Sequence, residues 1–178
     1  MESLLGPTLF LLPERNCALV PIRPEYSSEL LESGLQLVMF PRMEAALFSE
    51  RVYYSNRRTA SVLQPGTLIL FYESAGTSKP GAVVACARVI RSALALRPDI
   101  PAETQRHGVL RPTEIDRLGN RREPRNLTYF DNLMRFRNPV RVERLRQIRC
   151  VGTLITSARI SVEHFRQMVK EGDPCALL

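Results

Sequence analysis

The chain has 178 residues, of which 44% are hydrophobic and 24% charged, and a formal net charge of +7 at pH 7. A chain of this size and composition folds as one domain, at most one and a half, and buries about 70% of its extended surface without needing disulfide or metal staples. No run approaches the ~20 apolar residues of a membrane-spanning helix, and the apolar patch from Leu9 to Leu12 follows an acidic Glu2 and stops at Pro13, unlike a secretory signal.

Residues 1–17 read as an N-terminal extension and residues 18–178 as a single domain. Ala18-Leu19-Val20-Pro21-Ile22 is a short strand. Residues 23–34 form a short helix, with Pro24 in the first turn, Glu25 complementing the dipole, Tyr26, Leu30 and Leu31 on one apolar face, and Gly34 as the stop. Residues 35–40 are extended and residues 41–48 make a second short helix. Arg51-Val52-Tyr53-Tyr54-Ser55 is a strand by its aromatic and β-branched content, and Asn56, Arg57 and Arg58 follow as a basic turn. After the turn signal Pro65-Gly66, residues 67–72 form a buried strand, which pairs as a hairpin with residues 82–90 across a Gly/Ser/Pro loop.

Residues 97–126 form an Arg-rich, Pro-rich excursion with one small helix at 113–119, where Thr113 and Asp116 fit a capping box. Tyr129-Phe130, residues 140–145 and residues 150–156 are the remaining strand candidates. Ser161 caps a terminal helix whose apolar stripe is Val162, Phe165, Met168 and Val169 and which ends at Gly172. Five or six strands with short helices between them, and no long βαβ crossover, predict an α+β fold: a small, mixed, partly open β-barrel with short peripheral helices.

The positive charge is concentrated. Residues 97–149 carry 13 cations against 7 anions, while the stretches before and after are nearly balanced, and all 13 cations are Arg. The planar Arg fork binds phosphate bidentately and stacks on bases, which points to nucleic acid. A chain-wide bias of Arg over Lys is the competing account.

Three pieces of the chain resemble the PUA-like superfamily, specifically its ASCH and EVE branches: Ile22-Arg23-Pro24-Glu25-Tyr26 through Gly34, Pro65-Gly66 through Ser74, and Phe136-Arg137-Asn138-Pro139-Val140 through Phe165. The resemblance implies the PUA-like barrel and binding of RNA or of a modified base in DNA or RNA. Many ASCH domains carry a Gly-x-Lys-x-x-Glu-x-Arg string, from which a Lys and a Glu serve catalysis in members that hydrolyse acylated nucleosides. Here Arg51 stands where that Lys would be and Tyr54 where the Glu would be. Arg stays protonated and cannot act as a general base, which argues against that chemistry.

The expected binding surface comprises Arg51, Tyr53, Tyr54, Asn56, Arg57, Arg58, Tyr72, Ser74, Lys79, Tyr129 and Asn132. Arginines would hold phosphate and one of Tyr54, Tyr72 and Tyr129 would stack on a base, at about 1–3 kcal/mol per stacked base. In a strand, Tyr53 and Tyr54 face opposite sides, so only one can enter a given pocket. No catalytic residue is assigned, and the reading leans away from an enzyme. The four cysteines are widely spaced and the two histidines have no ligand spacing, so no metal or organic cofactor is expected and the compartment reads as a reducing cytoplasm, with no membrane partner. An alternative is a ribonuclease or nucleoside amidohydrolase on the same barrel, with Lys79, Glu73 or Tyr54 as acid/base candidates. Another, drawn from the resemblance alone, is a non-catalytic regulatory domain that acts through a protein partner, or that is detached from a fused domain of an acetyltransferase or toxin–antitoxin type.

Overall fold

A computed structural model describes residues 9–31, 48–76, 80–118, 120, 122–150 and 154–175. The elements are β1 (Cys17–Ile22), α1 (Pro24–Leu30), β2 (Arg51–Asn56), a 3-10 turn (Arg57–Ser61), β3 (Leu68–Glu73), β4 (Ala82–Ala95), α2 (Ala102–Arg106), α3 (Pro112–Asp116), β5 (Arg125–Arg141), α4 (Val142–Gln147), β6 (Ala158–Ile160), α5 (Val162–Gly172) and β7 (Pro174–Cys175). The strands form one mixed sheet in the order β2-β5-β4-β3-β1-β6, with β7 also paired to β5. β1 runs parallel to β3 and the other pairings are antiparallel. Among the described residues the end strands β2 and β6 do not pair with each other, so these pairings define an open mixed sheet with short helices and do not close the expected barrel.

β1 and β3 are apolar without alternation because both faces of the sheet are covered. One face packs Val20, Phe71, Val89 and Phe130 against Leu30 and Leu31, and the other packs Leu19, Leu70, Cys86 and Phe136 against Phe165 and Met168 of α5. A third cluster, Val52, Tyr54, Ile100, Ile115, Leu127 and Tyr129, ties the Arg-rich excursion to β2 and β5. The Phe71 and Phe130 rings meet at 5.1 Å, a spacing at which an aromatic pair adds about 0.5–1.5 kcal/mol beyond its buried area.

Three expectations fail locally. Tyr129-Phe130 and residues 140–145 are not two strands: β5 runs unbroken from Arg125 to Arg141, and residues 142–147 are helical. Register shifts against β4 and a left-handed Asn132 (φ 50°) bend β5 without ending it. Val142 and Leu145, three residues apart, bury one helical face of α4. Second, Cys150 and residues 154–156 are not in a strand, while Ala158–Ile160, three residues long and without an apolar run, pairs with β1. Third, α3 begins at Pro112 rather than at a Thr113 cap, and the Arg111 N–H is accepted by the Glu114 carboxylate at 2.7 Å. The β3–β4 hairpin and the Ser161 cap, whose Oγ accepts the His164 N–H, agree with the sequence reading. The expected segment 35–40 and nearly all of the expected helix 41–48 lie outside the described residues.

Gly172 gives a test of the packing. Gly to Ala in a helix ordinarily gains about 1 kcal/mol, but a Cβ here would enter the Phe136 ring. Overpacking a filled core costs about 1–3 kcal/mol. Gly172→Ala is therefore expected to lower the melting temperature by several degrees in a thermal scan. A rise would mean that α5 slides freely over β5.

Candidate functional site

A cleft of about 640 Å³ opens between α1, the outward end of β2, the α3 segment and residues 154–157. This lies within the size range of small-ligand sites. β2 sends Tyr53 and Tyr54 to opposite sides. The Tyr53 ring lies edge-on to Phe71 at 6.2 Å and its hydroxyl donates to the Pro21 carbonyl at 2.9 Å, where burial pushes the phenol up to about 12. The Tyr54 hydroxyl donates to the Thr104 carbonyl at 3.0 Å, and burial first, then the neighbouring Tyr129, raises its phenol.

Polar residues beneath β2 are bound to one another. The Ser55 and Thr59 hydroxyls meet at 2.6 Å, the Asn126 amide donates to the Thr59 and Thr128 hydroxyls at 3.1 Å each, and the Ser92 hydroxyl donates to the Asn126 carbonyl oxygen at 2.8 Å. Satisfied in this way, the buried groups fix the cleft floor rather than weakening the core. Asn56 caps the 3-10 turn by accepting the Arg58 N–H at 3.0 Å.

On the opposite wall, α1 and α3 are bridged. The Tyr26 hydroxyl donates to Glu114 Oε1 at 2.8 Å while the Arg111 amide donates to Oε2. The Arg111 amide and then Tyr26 hold the Glu114 carboxyl below its ordinary range, and the same hydrogen bond raises the Tyr26 phenol. Arg23 and Arg117 are exposed at the rim. A half-exposed tyrosine ring, hydroxyls and an amide on the floor, one carboxylate and flanking guanidinium groups are suited to a planar, hydrogen-bonding ligand that carries negative charge.

Of the residues named from sequence, Tyr53, Tyr54, Asn56 and Ser74 line this cleft, both tyrosines bordering it where only one was expected, and Arg57 and Arg58 lie exposed on the turn that follows Asn56. Arg51 lies elsewhere: it is buried and donates to the Leu30 and Phe48 carbonyls, closing the end of α1. Arg91 covers the Tyr129 ring, 3.6 Å from its centroid, and the Tyr129 hydroxyl meets Thr104. Tyr72 packs on the opposite side of the sheet, beside Phe165 and Met168. Asn132 sits at the bend of β5, and Lys79 lies outside the described residues.

Sequence reasoning missed Tyr26, Arg23, Glu114 and Arg117 as cleft residues. Tyr26 sits at apolar spacing on α1, and its partner Glu114 is 88 positions away, so no local pattern joins them. Cys17, Cys86 and Cys150 are buried thiols pushed up by desolvation to about 11, 12 and 11 respectively. Among the described residues no group of three His, Cys, Asp or Glu side chains is placed to hold a metal ion, and no helix is long and apolar enough to cross a membrane.

The fold places the chain among known structures. It superposes on a variant of the ASCH protein from Zymomonas mobilis with a TM-score of 0.66 over 89% of this chain and 98% of that one, at 14% identity. The ASCH structure from the same organism gives 0.64, over 88% and 96%, at 12% identity, and a hypothetical protein from Leishmania major gives 0.54, over 90% and 96%, at 11% identity. No family model and no curated protein matches the sequence. The chain has the fold of these ASCH structures.

Proposed function

We propose that the protein is a nucleic-acid-binding module that holds one base of a single-stranded or locally opened RNA or DNA, plain or modified, in the cleft between α1 and β2. The observation that carries this reading is the cleft itself: about 640 Å³, with Tyr26 and Tyr53 in its walls, a fixed hydroxyl floor and arginines at its mouth. The likeness to ASCH domains agrees with it, since PUA-like modules of this kind are associated with RNA.

Under this reading Arg57 and Arg58 neutralise phosphates next to the bound base. Each phosphate contact on a single strand releases counterions and contributes about 0.7 to the slope of log affinity against log salt. Arg57→Ala with Arg58→Ala is therefore expected to weaken oligonucleotide binding and to reduce that slope by about 1.4, as read by fluorescence anisotropy across a salt series. An unchanged slope removes the turn from the interface. If single-stranded RNA and DNA both fail to bind the unsubstituted protein at low salt, the functional reading itself is wrong.

A further inference from the structure

Four residues on neighbouring strands form one row across an end of the sheet. Ile22 of β1 is opposite Glu73 of β3, Glu73 is opposite Ala82 of β4, and Ala82 is opposite Arg141 of β5. With strands about 4.8 Å apart, the row is about 15 Å long. At its β1 end the next residue is Arg23, on the rim of the cleft. At its β5 end the chain turns into α4, and the Val142 N–H donates to the Gly81 carbonyl at 2.9 Å, which sets the first turn of α4 against Gly81.

Several groups meet there. The Tyr72 hydroxyl fills the space that a Cβ on the buried Gly81 would need, so glycine at this point lets the phenol pack against the backbone beside the start of α4. Arg146, one turn along α4, and Glu143 both act on that hydroxyl: burial raises the Tyr72 phenol, the Arg146 charge lowers it and Glu143 raises it again. The Tyr72 ring is 5% exposed and cannot stack on a base, but its hydroxyl makes no hydrogen bond among the described residues. Arg141 and Arg146 are exposed and make no ion pair among the described residues. Their neighbour Arg144 is held by Glu171 at 2.8 Å, and Glu143 is the one acid within α4. Two outward cations and a phenolic hydroxyl at the start of α4 suit a phosphate group.

We infer that Tyr72, Arg141 and Arg146 form a second phosphate subsite, and that the ligand is an oligonucleotide running from the cleft past Arg23 to α4 rather than a free nucleoside or mononucleotide. This rests on the cleft's being the base site. At a stacked rise of about 3.4 Å per nucleotide, the 15 Å row takes up about four to five nucleotides. Affinity therefore grows with length up to about six nucleotides and then levels off.

The test is anisotropy with labelled single-stranded dinucleotides, tetramers and octamers on the full chain. Arg141→Gln with Arg146→Gln is expected to weaken octamer binding on the order of tenfold near 0.15 M salt, from two lost contacts at about 0.7 each in the salt slope, and to leave dinucleotide binding unchanged. Tyr72→Phe, which removes only the hydroxyl, is expected to weaken the octamer and not the dinucleotide. Melting curves of both variants are compared with the parent; if the double variant is unstable, Tyr72→Phe decides. Equal affinity for dinucleotide and octamer overturns the subsite, as does octamer binding untouched by either variant while Arg57→Ala with Arg58→Ala weakens it, and in both cases the cleft reading stands. Failure of every length to bind the parent protein brings down the cleft reading and the subsite together.

Discussion

Arg125→Ala is expected to destabilise the protein by on the order of 3–5 kcal/mol and to lower its melting temperature by roughly 10 °C or more. Arg125 is 1% exposed at the start of β5. Its guanidinium donates to the Ile115, Asn120, Glu123 and Asp116 carbonyls at 2.9, 2.9, 2.8 and 3.2 Å. Two of these acceptors close the C-terminal end of α3, where carbonyls lack intrahelical donors and a cation is favoured. Truncation leaves the Ile115 and Asn120 carbonyls with the Leu118 and Glu123 N–H groups, but takes the donor from the Asp116 and Glu123 carbonyls, at about 1–3 kcal/mol each where they stay dry, and opens a void. Arg125→Lys keeps the charge but not the fork and should recover only part of the loss. The measurement is a thermal scan with limited proteolysis, in which cleavage should begin within residues 97–124. Unchanged melting would show that the apolar contacts of Ile100, Ile115 and Leu127 hold the excursion alone.

Arg125 also shows where sequence reading stops. Along the chain it is one of thirteen arginines in a basic segment, and the segment's charge is the argument for phosphate. Burial turns this one inward, and ion pairs occupy Arg97, Arg137 and Arg144, with Asp116, Asp173 and Glu171 respectively. Arg51 is spent in the same manner on α1. A formal charge is legible in sequence, but its destination depends on which carbonyls the fold leaves unsatisfied, and those lie on other elements. The β3–β4 hairpin and α5 were legible because their signals are local: a Pro-Gly turn before one apolar run and a Gly/Ser/Pro loop before the next, and a Ser cap before a 3.6-residue stripe. The length of β5 was not, because a strand that bends at a left-handed Asn132 and contains Pro139 has the local signals of two elements. The aromatic and basic string around β2 reads in sequence as a binding surface, and Tyr53, Tyr54 and Asn56 line the cleft. The opposite wall was not, since Tyr26 and Glu114 are brought together by the fold alone.

Tyr26→Ala is expected to weaken oligonucleotide binding by about 1–3 kcal/mol, the range for loss of one base–aromatic stack, while the protein remains folded. The choice among tyrosines follows from exposure of the π-face. Tyr54 and Tyr72 are 3% and 5% exposed, and Arg91 lies over Tyr129, so none of the three offers a free face to a base. Tyr53 is anchored at its hydroxyl by Pro21 and at its edge by Phe71, so truncating it removes a core contact as well as any binding contact. Tyr26, like Tyr53, is partly buried against the core cluster, but its ring borders the cleft and its tip is held by Glu114, which fixes the ring's direction. Tyr26→Phe keeps that ring and loses only the bridge. If stacking is the ring's role, Phe should retain most of the affinity that Ala loses. If the bridge between α1 and α3 is what shapes the cleft, Phe and Glu114→Gln should weaken binding as much as Ala does. Measuring affinity and melting temperature together for the three variants separates these cases. Full binding by folded Tyr26→Ala would exclude this wall and leave Tyr53 as the cleft's remaining aromatic surface.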